Sequence, residues 1–169
     1  TYSNEGIMQI INKITLSALA FICAPMAASA QSASAGLETL IQCKPATKIA
    51  VQTAESQFLA IGLEKSADGF YFPANGKKAV FFGDEIIAAG VFSADGENKI
   101  SVYLKNQTGQ QLASRLRVTA IDENANTDEP SYVKQTSAKT TLLIGSAAEL
   151  DTGKKTVPFR SSITCQVTR

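Results

Sequence analysis

GFYFPANGKKAVFFGDEIIAAGVFSADGENKISVYLK, residues 69–105, is four apolar runs divided by three turn signals. Asn75-Gly76 and Asp95-Gly96 are dipeptides whose second residue accepts positive φ without steric cost, as tight hairpin turns require. Gly83-Asp84 suits a tight turn with Gly first. Ile100, Val102 and Leu104 alternate with Ser101, Tyr103 and Lys105, the period of a half-buried strand. The run from Ile86 to Phe92 is apolar at almost every position, which suits a central strand covered on both faces or a strand whose outer face is covered elsewhere. A buried helix is the competing reading of that run, and the turn residues on either side argue against it. Pro73 lacks a ladder donor, so the 70–72 strand either lies at an edge or ends there. The stretch therefore predicts an antiparallel β-meander on which the rest of the chain packs.

Outward from the meander, helix signals lie before and after it. A short helix is expected over Leu37–Cys43, stopped by Pro45. A second falls within Thr47–Leu63, with Ala54, Phe58 and Ile61 as its buried stripe and Thr53 as a candidate cap. Thr108 and Gln111 have capping-box spacing, which places a third helix over Gly109–Arg117. A strand using Leu116, Val118 and Ala120 competes for the end of that segment. Strand signals return at Tyr132–Gln135, Thr140–Ile144 and Ser162–Val167, with Asp151-Thr152-Gly153 turning between the last two. Strands in runs with helices segregated from them predict an α+β fold: an antiparallel β-sheet, meander plus C-terminal strands, with helices packed on one face.

The first thirty residues read differently. Met8 reads as an initiator with upstream residues before it; Lys13, an apolar run from Ile14 to Ala24 and Ala28-Ser29-Ala30 then form a secretory signal pattern, with cleavage after Ala30 or Ala35. A membrane anchor is the alternative, but the run is short for a bilayer span. A lipoprotein is another, but Ile22 precedes Cys23 where a small residue is needed. The expected division is residues 1–30 as upstream sequence and signal peptide and 31–169 as a single α+β domain, soluble in the periplasm or secreted.

Export makes the two remaining cysteines, Cys43 and Cys165, a candidate disulfide. Leu37, Leu40 and Cys43 share one helix face, and Ile163, Cys165 and Val167 share one strand face, so both sulfurs point at the core. Two buried thiols are the alternative reading.

The same residues constrain function. Of 169 residues none is histidine, which removes Ser-His and Cys-His nucleophile pairs and most catalytic zinc sites. The formal net charge is +1 with both signs interspersed, which gives no electrostatic case for nucleic acid or an anionic membrane surface. Ser131-Tyr132-Val133-Lys134 matches S-x-x-K, but Pro130, Tyr132 and Val133 favour a strand, which splays the two side chains apart. Asp122, Asn124, Asn126 and Asp128 alternate like the first ligands of a calcium loop, yet Thr127 stands where the Gly belongs and Val133 where the closing Glu belongs. Asp84, Glu85 and Glu149 are carboxylates that spacing does not pair, and Asp84 is accounted for by its turn. Alternation sends one of Phe81 and Phe82 away from the main core, a candidate contact patch if that face is uncovered. No cofactor is implied.

Leu37-Glu38-Thr39-Leu40-Ile41-Gln42-Cys43-Lys44, then Gly69-Phe70-Tyr71-Phe72-Pro73 and Val80-Phe81-Phe82-Gly83, resemble small exported proteobacterial proteins of uncharacterised function. The resemblance covers about the first half of the 31–169 segment and implies an envelope address and a two-layer fold, with no catalytic residues. Three functions are carried forward. The first is a non-catalytic periplasmic or secreted binding protein, inhibitor- or immunity-like, whose partner is another envelope or secreted protein or a ligand. The second is a small envelope hydrolase using carboxylates or Ser131 with Lys134. The third is a structural envelope component.

Overall fold

A computed structural model describes residues 34–43, 51–123 and 129–168. The signal-like segment and the 124–128 part of the acidic loop lie outside the described residues.

The meander forms, with its turns placed by backbone stereochemistry. Strands β1 (Leu63–Lys65), β2 (Phe70–Pro73), β3 (Val80–Phe81), β4 (Asp84–Ala94) and β5 (Glu97–Leu104) come from this half of the chain. Asp95 and Gly96 both have positive φ, 51° and 79°, the signature of the primed two-residue turn that matches strand twist. β4 and β5 are the longest hairpin of the protein and hold its centre, paired from Ile86↔Leu104 to Ala94↔Glu97. Asn75-Gly76 does not join a hairpin. Gly76 alone has positive φ and Lys77 N–H donates to Ala74 O (2.8 Å), an ordinary reversal after which β2 pairs with β4 rather than β3. Pro73 ends β2, and the outer edge belongs to β1, a strand whose residues the helix reading had reached at Leu63.

Three helices flank this half. α1 covers residues 34–41 and α2 Val51–Ala60, in which Thr53 lies inside the helix rather than capping it. α3, Gly109–Leu116, starts as its spacing predicts. Thr108 Oγ1 accepts from Gln111 N–H while Gln111 Oε1 accepts from Thr108 N–H. Arg117 in the left-handed region ends it, and the competing strand survives as a single bridge, Ile121↔Tyr132.

The C-terminal strands β6 (Tyr132–Ser137), β7 (Thr140–Gly145) and β10 (Ser161–Thr168) complete an eight-stranded sheet in the order β1-β2-β4-β5-β10-β7-β6, with β3 attached to β4. β10 lies between β5 and β7, antiparallel to both, so the last segment of chain fills the middle of the sheet. Between β7 and β10 the chain makes a separate hairpin of β8 (Ala148–Asp151) and β9 (Thr156–Phe159).

One face of the sheet carries the core. Ile86 and Ala89 of β4, Ile100, Val102 and Leu104 of β5, Ile163 and Cys165 of β10 and Leu142 and Ile144 of β7 form one cluster with Leu37, Leu40 and Ile41 of α1, Ala54 and Phe58 of α2 and Leu112 and Ala113 of α3. The helices therefore lie on one side, as α+β packing expects. Cys43 and Cys165 are joined, with Cα atoms 5.2 Å apart, and tie the end of α1 to the central strand β10. Thr136 Oγ1 donates to Cys43 O (2.6 Å), which fixes the same corner to β6.

Candidate functional site

The opposite face is built from the other half of each strand's alternation. Phe70 and Phe72 of β2, Phe92 of β4 and Tyr103 of β5 stand on it, with Ser101 hydrogen-bonded across the strands to Thr164 (2.8 Å). Phe92 folds back over Gly90, where a Cβ would meet the ring, and its ring lies 5.4 Å from that of Phe70. A side chain at position 90 would have to displace the Phe92 ring, so glycine is what lets the ring lie against the strand.

No helix covers this face among the described residues; the β8–β9 hairpin lies against it. Phe159 packs on Tyr103 with ring centroids 5.0 Å apart, Lys155 Nζ sits 4.3 Å over the Phe72 ring, and Lys154 pairs with Asp68 (3.0 Å). Burial under this hairpin pushes the Tyr103 hydroxyl pKa up. Sequence reasoning had only a turn at Asp151-Thr152-Gly153 here. The strands on either side were hidden by Pro158, which a central strand would not tolerate but which a two-stranded hairpin, all edge, accepts.

The hairpin and the sheet do not close on each other. A groove of about 560 Å³ lies between them. Pro73, Ile86, Ile87, Val157, Pro158 and Phe159 give it apolar walls, and Glu85, Lys105 and Arg160 supply charge. Ile87 is the extra residue of a β-bulge: Ile86 pairs with Leu104 and Ala88 with Tyr103, so Ile87 has no register partner. The bulge switches β4 from one alternation to the other, keeping Ile86 and Ala89 in the core and releasing Ile87 to the groove.

Electrostatics fixes the charged end. Lys105 Nζ reaches both oxygens of Glu85 at 3.2 Å, and Lys78 approaches the same carboxylate at 3.6 Å. Lys105, chiefly, holds the Glu85 carboxyl below its ordinary pKa. Arg160 is held from the far side by Glu129 (3.5 Å), and its N–H donates to Leu104 O (2.8 Å).

Asp84, one residue before Glu85, does more than end a turn. It is buried (4% exposed), and its carboxylate accepts from Glu85 N–H, Asn106 N–H, Asn106 Nδ2 and Gln107 N–H at 2.6–2.9 Å. Burial by itself raises its pKa; the combined hydrogen bonds from Gln107, Asn106 and Glu85 outweigh it, and the net shift is downward. Asp84 thereby pins the 105–107 link to the start of β4, which sets the positions of both Lys105 and the α3 N-cap.

Phe81 and Phe82 are not a contact patch. Both are buried, 0% and 5% exposed, in the same core cluster, with ring centroids 4.4 Å apart. The turn is Phe82-Gly83, not Gly83-Asp84: both residues have positive φ, 49° and 74°, and Phe81 pairs with Asp84. A residue in the left-handed region leaves the strand's alternation, so the two rings stay on one side. Phe82 O accepts from Gln107 Nε2 and Arg115 Nη1, and the Arg115 guanidinium lies 5.2 Å from its ring, which holds this unfavourable conformation.

The remaining candidates do not assemble. Ser131 is buried beside β6 and Lys134 is exposed on β6; three residues apart on extended chain, they face opposite sides. Asp84 and Glu85 are consecutive, so they also diverge, and Glu149 is on β8. Of the calcium candidates, Asp122 is described, with its N–H donating to Ser131 O (2.8 Å), while Asn124, Asn126 and Asp128 lie outside the described residues. Among the described residues no group of three His, Cys, Asp or Glu could hold a metal, and no helix is long and apolar enough to cross a membrane.

The chain matches no family model, no curated protein and no solved structure.

Proposed function

We propose that this chain is a non-catalytic binding protein of an oxidising extracytoplasmic compartment, periplasmic or secreted, and that its ligand sits in the groove between the β8–β9 hairpin and the sheet. The groove is the single observation that carries the reading. Its volume lies in the range of small-molecule sites, its walls are mostly apolar and few polar groups converge on it. The disulfide supports the compartment, since such bonds persist where thiols are not kept reduced. The signal-like segment up to Ala30 supports the same address.

The geometry speaks against the hydrolase reading. Carboxylate catalysis needs one partner protonated near neutral pH, hence a raised pKa. Asp84 and Glu85 are both held low, and the Asp84 oxygens are taken by protein donors. A Ser-Lys pair needs contact, which opposite strand faces deny to Ser131 and Lys134.

The test is native mass spectrometry of the protein recovered under non-denaturing conditions from the envelope of its host. A bound species at stoichiometric level is expected, lost in Val157→Asp, which puts a charge on the apolar wall. A ligand-free protein, or a species retained equally by the variant, contradicts the reading. The same spectra test the address: the expected chain begins near Gln31 with no free thiols.

A further inference from the structure

We infer that the groove takes an amphipathic anion, an apolar chain ending in a single carboxylate or phosphate group. The inference rests on the binding reading of the same groove and adds the chemistry of its occupant. Two of the six apolar wall residues, Pro73 and Pro158, carry no N–H, so these walls offer little to a peptide backbone and suit hydrocarbon. Ile87, released by its bulge, and Val157 and Phe159 from the hairpin complete that surface.

The polar end has a sign. Of the three charged residues that line the groove, two are cations, Lys105 and Arg160, and one is a carboxylate, Glu85. Adding their partners outside the lining, Lys78 on Glu85 and Glu129 on Arg160, leaves the excess at one positive charge. The Lys105–Glu85 pair is also replaceable. Its lysine is half exposed, and Lys78 already stands 3.6 Å from the same carboxylate, so Glu85 keeps a counter-ion when Lys105 turns to a ligand. An exposed pair of this kind is screened by solvent and weakly held. An anion arriving with an apolar tail exchanges one solvated ion pair for another and buries its chain against the walls. A neutral chain gains only the second, and a cationic one meets Lys105 and Arg160.

The experiment is a titration of the folded, oxidised protein with decanoate, decyl phosphate, decanol and decylamine, each below its self-association threshold. Amide chemical shifts locate the site and calorimetry gives the affinity. Decanoate or decyl phosphate is expected to shift the amides of Ile87, Lys105, Val157 and Phe159 and to bind at least about ten-fold tighter than decanol, the equivalent of about 1.4 kcal/mol. Decylamine is expected to bind more weakly than decanol. Whichever anion binds tighter identifies the source, a free carboxylate or a lipid-type phosphate. The double variant Lys105→Gln, Arg160→Gln removes the preference for anions, so that decanoate binds no tighter than decanol; Val157→Asp removes all binding. All three positions are on the hairpin or the rim of the groove, and an unchanged melting temperature checks the fold of each variant. Equal affinity of the wild type for decanoate and decanol, shifts away from the groove, or no binding by any of the four overturns the inference. If, in that case, native mass spectrometry still finds a species lost in Val157→Asp, the groove is a binding site for another chemistry. If it finds none, the binding reading falls too.

Discussion

The two faces of the sheet are organised by different physics. The inner face is covered by three helices, carries one continuous apolar cluster and is stapled by Cys43–Cys165. The outer face is covered by a two-stranded hairpin, through a few contacts: Phe159 on Tyr103, Lys155 on Phe72 and Lys154 with Asp68. Its cross-strand contacts are aromatic or hydroxyl pairs such as Ser101–Thr164. Stability is thus concentrated on one side, and the side with the groove is left with little to hold it closed. Binding regions are drawn from the low-stability part of a fold, because a covered, rigid surface has nothing to offer a ligand.

This contrast is open to attack in order of size. Loss of the disulfide, by the double variant Cys43→Ser, Cys165→Ser, should cost most. The bridge closes a sequence separation of 122 residues, and the chain-entropy model gives a ceiling near ~5 kcal/mol for such a loop. Denaturant unfolding of the oxidised and variant proteins measures it; a difference within error would remove the staple from the account. Phe58→Ala, which empties a fully buried site under α2 against Tyr71 (ring centroids 5.1 Å), should cost about 3–5 kcal/mol. Phe159→Ala, the outer counterpart, should cost only about 1 kcal/mol, the scale of an aromatic pair, and should free the hairpin without loosening the core. Equal losses at these two phenylalanines would erase the distinction between the faces.

Asp84 sits between these extremes. Asp84→Asn replaces an acceptor oxygen by a donor facing N–H groups and should cost about 2–3 kcal/mol. Its folded pKa is depressed, so its contribution is fully present above the unfolded carboxylate pKa of about 3.9 and is lost as pH falls from there through the folded value. Wild-type stability should drop across that acid window, and the drop should be shallower in Asp84→Asn. Identical pH profiles would mean that Asp84 is not the titrating anchor. The smallest effect is expected at Ser161, which is fully buried opposite Leu104 on the inner face with no hydrogen-bond partner for its hydroxyl among the described residues. Ser161→Ala should be neutral or slightly stabilising in the same unfolding assay, because an unpaired hydroxyl gives nothing back for its lost hydration. A clear destabilisation would show that the hydroxyl has a partner.

The inner face was legible in the sequence because its signals are local and periodic. The Thr108–Gln111 capping box, the Ile100–Leu104 alternation and the strand phase of Cys165 each needed a few residues to read, and each gave the observed arrangement; Cys43 reaches its partner from beyond the end of α1, with φ 57°, and not from a helix face. The outer face was not legible. Its groove depends on a bulge at Ile87, which shifts alternation by one residue inside a uniformly apolar run, so no pattern marks it. Its cover depends on β8 and β9, which are four residues each, with Pro158 inside the second, too short for their alternation to mark them as strands. The Phe81–Phe82 expectation failed for a related reason. Strict alternation was assumed where a bulky residue takes the left-handed position of a turn, a choice that Arg115 and Gln107 stabilise from far along the chain. Asp84 was read as a turn residue because its four donors include three from Asn106 and Gln107, more than twenty positions later.

Native-state hydrogen exchange on the oxidised protein tests the separation of the two faces most directly. The account predicts that amides bonded between β4, β5 and β10 exchange only with global unfolding, while those bonding β8 to β9 exchange through a local opening of lower free energy that leaves the core closed. Exchange of the β8–β9 amides at the same free energy, and with the same denaturant dependence, as the core would contradict it.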